Sequence, residues 1–63
     1  MSYHATFADA RDYAQELTGY VLEPVLVACK GGTYLVGTHR QADLLFVEPS
    51  DVVQVFETAG LVN

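Results

Sequence analysis

Cys29, Lys30, Gly31, Gly32, His39 and Arg40 fall within one short stretch, CKGGTYLVGTHR. It holds the chain's one cysteine, one of its two histidines and two of its three basic residues. These types could serve a thiol nucleophile, a metal ion or a phosphate cradle, and each chemistry makes its own demands on the neighbours. A cysteine nucleophile needs a pKa lowered by a helix N-terminus or a nearby cation, and a base within hydrogen-bond reach. Lys30 adjoins Cys29, but neighbours on a regular strand point to opposite faces. In a tight hairpin His39 pairs near Pro24 rather than near the thiol, so Cys29 reads as a structural cysteine. A thiol-dependent small enzyme stays as a second alternative.

Structural zinc takes four ligands, usually from closely spaced Cys and His pairs. Cys29, His4 and His39 form no such pair, so no metal is expected. A phosphate loop needs G-x-x-x-x-G-K-[S/T] leading into a helix, whereas Gly31-Gly32 precedes the β-prone run Thr33-Tyr34-Leu35-Val36. Neither a dinucleotide fingerprint nor any other cofactor signature is present. Gly31-Gly32 is read as the turn of a hairpin, because both positions tolerate positive φ.

Two recognition surfaces remain. Asp9, Asp12 and Glu16 project within about 60° of one another at helical spacing, forming an acidic stripe beside the apolar face of the first helix. Tyr3, Tyr13, Tyr20 and Tyr34 are four tyrosines in a chain too small to bury them all, and tyrosine suits interfaces. Tyr34 shares a strand face with Val36 and opposes Leu35. If the helices cover Leu35, Tyr34 lies on an open sheet face. The partner-binding candidates are Asp9, Asp12, Glu16, Tyr13, Tyr20 and Tyr34.

Four elements and a C-terminal helix are expected to position these residues. Thr6 N-caps a first helix in which Phe7, Ala10, Ala14 and Leu17 make one apolar stripe, with Gly19 at C′. Val25 to Cys29 and Thr33 to Thr38 read as strands, with Pro24 at the start of the first. Asp43 to Val47 fits a third strand, although Arg40-Gln41-Ala42 could begin a helical turn. Pro49, Ser50 and Asp51 signal a final helix carrying Val52, Val53, Val55, Phe56 and Ala59 on one face, with Gly60 at C′; the rival is a strand over Val52 to Phe56. The fold class is α+β in the order α-β-β-β-α. It is most simply a three-stranded antiparallel meander with both helices against it, in one compact domain over residues 1–63.

Size and charge narrow the function. A chain of 63 residues buries only about 60% of its unfolded surface, and small domains usually add disulfides, a metal or a partner. One cysteine permits no internal disulfide. At 51% hydrophobic residues, such a chain has little interior to hide them in, so some apolar surface should meet another protein. The formal net charge of −5 opposes direct nucleic-acid binding. No apolar run approaches the roughly 20 residues of a membrane span, the start does not read as a signal peptide, and the free thiol suits a reducing, cytoplasmic setting.

In size and charge alone, with no shared motif, this profile resembles phage or mobile-element inhibitors of bacterial defence complexes, anti-CRISPR proteins among them. The resemblance implies a non-enzymatic, cytoplasmic protein-binding module, an inhibitor or accessory subunit that occupies a basic surface of a larger protein or nucleoprotein complex. The alternative is a self-assembling structural protein, a homodimer paired through its sheet face.

Overall fold

The computed structural model of the chain describes residues 1–57. Their elements run in the order β1 (Ser2–His4), α1 (Phe7–Leu17), β2 (Val25–Lys30), β3 (Thr33–Thr38), α2 (His39–Leu44), a single 3-10 turn (Pro49–Asp51) and β4 (Val52–Phe56). The class is α+β, but the sheet has four antiparallel strands in the spatial order β1-β3-β2-β4, and no three-stranded meander forms.

The central hairpin follows the sequence signals closely. Lys30 pairs with Thr33, leaving Gly31 and Gly32 as a two-residue loop with φ of 62° and 79°. Two positive φ values are what a tight hairpin turn demands. The α1 helix also begins as the sequence indicates, because Thr6 is extended and its hydroxyl accepts from the Asp9 amide at 3.2 Å. It ends through Thr18, whose hydroxyl donates to the Gln15 carbonyl at 2.6 Å. Gly19 follows but does not take a left-handed conformation.

Sheet order and strand direction decide where the helices go. β1 and β2 are parallel with β3 between them, and β3 and β4 are parallel with β2 between them. Both crossovers step the same way across the sheet from strands of opposite direction, so right-handed connections place their helices on opposite faces. The packing agrees. Ala10 and Ala14 of α1 meet Val25, Val27 and Val36 on one face, while Ala42 of α2 meets Leu26 and Ala28 on the other. β2 is therefore covered on both sides, and Val25, Leu26, Val27 and Ala28 are all buried without alternation. Such an unbroken apolar run is characteristic of strands buried on both faces.

Three sequence expectations are corrected. Asp43 to Val47 is no strand: His39–Leu44 forms α2, N-capped by Thr38. The Thr38 amide donates to the Gln41 side-chain carbonyl at 3.1 Å, and the Gln41 amide donates to the Thr38 hydroxyl at 3.4 Å. That T-x-x-Q capping box outweighs the β propensity of the residues after it. Val52–Phe56 is a strand rather than the body of a helix, and the predicted cap at Ala59 and Gly60 lies outside the described residues. β2 supplies an open edge to which this valine-rich segment pairs.

A bulge breaks the alternation that in a regular strand would set Val53 and Val55 on the face opposite Val52 and Phe56. Val27 opposes Gln54 but Ala28 opposes Val52, so Val53 is the extra residue. Phase shifts across it: Val52 packs on the α2 face and Phe56 on the α1 face. The third correction concerns Tyr34. It faces α1, half-buried with its ring 6.0 Å from Phe7, and the open part of the sheet lies on the Leu35 side.

Candidate functional site

The predicted acidic stripe forms on α1. Asp9, Asp12 and Glu16 are exposed, as the helix turns Ala10 and Ala14 to the sheet. Arg11 approaches Asp12 at 3.5 Å, and its guanidinium lies 5.9 Å from the Phe7 ring centre. Both members of that ion pair are well exposed, so solvent screens it strongly. Tyr13 borders the stripe, its ring 5.2 Å from His4. Tyr20, 80% exposed, projects from the α1–β2 loop near Leu22, which is 79% exposed. Of the six predicted contact residues, five are thus exposed and Tyr34 lies largely beneath α1.

Cys29 is half-buried on the α1 face opposite Tyr34. Lys30 points the other way, as strand alternation requires, and its ammonium donates to the Phe46 carbonyl at 3.0 Å. One polar pair escaped the sequence reading: Ser2 Oγ and His4 Nε2 stand 2.9 Å apart, two residues apart on one face of β1. Nucleophilic use of such a pair needs a group that orients the far side of the ring and donors for an oxyanion. Among the described residues no carboxylate hydrogen-bonds His4, and none of them gathers three or more His, Cys, Asp or Glu side chains as a metal site. The same residues contain no helix long and apolar enough to cross a membrane.

A second surface, missed from sequence, lies at the end of α2. This helix has six residues, or about 9 Å of length, against strands of about 20 Å. It therefore covers only part of its sheet face. Beside it runs an apolar depression: one cleft of about 360 Å³ is lined by Met1, Tyr3, Leu44 and Leu45 with Gln41. A neighbouring cleft of about 280 Å³ shares Tyr3 and Leu45 and continues over Leu35, Val47 and Lys30. Tyr3 is 61% exposed, Leu44 74% and Phe46 81%.

Phe46 is unusual in a second way. The Val47 amide donates to the Ala42 carbonyl at 3.0 Å and the Phe46 amide to the Asp43 carbonyl at 3.2 Å. This is the Schellman ending, in which the residue at C′ is left-handed and usually glycine. Here that residue is Phe46, with φ of 57°. A left-handed β-carbon costs about 1–2 kcal/mol, and the ring gains little burial to offset it. The signal legible in the sequence is Leu44-Leu45-Phe46-Val47, four apolar residues in a row between Asp43 and Glu48.

No family model, curated protein or solved structure matches the chain.

Proposed function

We propose that this chain is a non-enzymatic protein-binding module, an inhibitor or accessory subunit that occupies a basic surface of a larger protein or nucleoprotein complex. The observation that carries this reading is the outward side of α1, where Asp9, Asp12 and Glu16 are all exposed beside Tyr13. Arg11 is the one cation of the helix, and it leans on Asp12. Like charges at such spacing cost a few tenths of a kcal/mol in a helix, a cost that a basic partner would reverse. Tyr13 and Tyr20 add rings that pack while their hydroxyls stay wet.

The test is capture of partners by the tagged chain from the cells that encode it, at low and high salt. A protein retained at low salt should be released as salt rises, because screening weakens exposed charge pairs. The same protein should be lost when Asp9→Lys, Asp12→Lys and Glu16→Lys are combined. Retention that ignores both salt and charge reversal would end this reading.

A further inference from the structure

We propose that β4 is a docking edge that takes up an extended segment of another protein as a fifth strand of the sheet, a segment whose apolar residues are flanked at both ends by Lys or Arg. This edge is separate from the acidic stripe of α1 and from the clefts around Tyr3, and the inference does not rest on the function proposed above.

The sheet order leaves two outer strands, β1 and β4, and they are finished differently. An outer strand turns alternate backbone N–H and C=O groups away from its neighbour, a template for pairing with another chain. Proteins blunt such edges by brevity, proline, lysine or a bulge. β1 has only three residues. β4 has five, Val52-Val53-Gln54-Val55-Phe56, with no proline, glycine or charge among them. Its one irregularity is the bulge at Val53, and beyond it Gln54, Val55 and Phe56 keep regular register with Val27, Leu26 and Val25. Among the described residues β4 pairs with β2 alone. Val53 is 50% exposed and Val55 42%, so β-branched side chains stand beside the free backbone groups, where cross-strand neighbours would pack on them. Recognition by strand addition uses this combination of main-chain hydrogen bonds and flanking side-chain contacts.

Charge selects the occupant. From Asp43 to Glu57 the chain has four carboxylates and no Lys, Arg or His. Glu48 and Glu57, before and after β4, are exposed. Asp51 is half-buried, accepts from the Glu48 amide at 3.0 Å and lies 3.9 Å from the Lys30 ammonium. The edge is thus an uncharged strand between acidic ends, and a cation at each end of an incoming segment completes it. A second copy supplies the opposite. When two β4 strands pair antiparallel over their whole length, centred on Gln54, Asp51 of each falls opposite Glu57 of the other. Like charges opposite one another destabilise a strand pair, and each copy brings a net charge of −5. The partner is therefore a different chain, basic where this one is acidic.

The test is titration of the isotope-labelled full chain with the end-blocked peptide Lys-Val-Thr-Val-Thr-Val-Lys, followed by amide NMR. Shifts should centre on Val52 to Phe56, whose outward amides should exchange about tenfold more slowly at nine-tenths saturation. N-methylation of the peptide's three central residues removes donors from both of its edges and should abolish binding. Val55→Lys should weaken binding about tenfold or more and leave the chain folded, since this side chain is exposed. Glu48→Lys combined with Glu57→Lys should weaken binding of the Lys-ended peptide about tenfold and strengthen that of a Glu-ended one. Binding that survives N-methylation, shifts confined to α1, no binding at millimolar peptide, or β4 amides that become protected on concentrating the chain alone would each overturn the proposal.

Discussion

The Lys30 ammonium donates to the main-chain carbonyl of Phe46 at 3.0 Å, tying the last residue of β2 to the left-handed residue that closes α2. The same ammonium lies 3.9 Å from Asp51, at the entry to β4. One side chain thus spans the hairpin turn, the α2 ending and the start of the edge strand.

Phe46→Gly is expected to raise the stability of the fold by about 1 kcal/mol, since glycine takes positive φ at no steric cost. In a domain of this size that is a rise in melting temperature of about 4–8 °C. Thermal unfolding at low micromolar concentration measures it. A lower melting temperature would mean that the ring is packed rather than exposed.

Lys30→Met keeps the apolar stem but removes the donor. Because the ammonium is half-exposed, the cost should be about 0.5–1 kcal/mol. Amide exchange should quicken around Phe46 and Val47 more than in the β2–β3 ladder. Uniform quickening would show that the contact has no local role.

Gly37 is buried where its missing side chain leaves room for a neighbour. A β-carbon there would stand 2.5 Å from Gln41 Oε1 and 3.0 Å from the Met1 methyl. Gln41 can swing aside, but its carbonyl then leaves the Thr38 amide. Gly37→Ala should therefore cost about 1 kcal/mol, the usual worth of a cap, and denaturant unfolding should give the same loss for Gln41→Ala.

Gly31 and Gly32 face open space, so conformation alone restricts them. Gly31→Asn should be neutral or stabilising by a few tenths of a kcal/mol, since Asn-Gly is the preferred pair for this turn. Gly31→Val should cost about 1–2 kcal/mol. Equal stabilities of the two variants would contradict the turn geometry.

Ala14 is fully buried where α1 crosses Val25 and Val36. Ala14→Leu forces the helix off the sheet and should cost about 1–3 kcal/mol. Ala8→Leu, on the exposed side of the same helix, should be close to neutral, and urea midpoints compare the two.

The Thr6 cap, the Ala10 and Ala14 stripe and the Gly31-Gly32 turn are legible in the sequence because none needs a distant partner. The Thr38–Gln41 capping box is equally local, yet the apolar run after it points to a strand where α2 forms, and Gly19 follows α1 without the left-handed conformation expected of it. Pairing hides the rest. Val52 to Phe56 satisfies a helical face on paper, yet β2 offers a ladder, and one extra residue at Val53 removes the objection to a strand. β1 has three residues, too few for any period to register. The acidic stripe was visible because helical spacing alone defines it. The α2 surface was not, because its exposure depends on how little of a sheet face a short helix covers.

The sheet order β1-β3-β2-β4 also says which part of the molecule should form first and open last. The β2–β3 hairpin closes over two glycines, whereas both outer ladders join residues that lie half the chain apart. Local pairing pays little loop entropy and nucleates early. The outer strands, each with one neighbour, hold the far ends of the two helical crossovers. In native-state exchange the amides of the central ladder should therefore be the slowest, and those of β1 and β4 should open together with the helices they anchor. Such openings would expose α1's buried face separately from that of α2, giving a chain of only 63 residues two independently releasable layers around one durable hairpin.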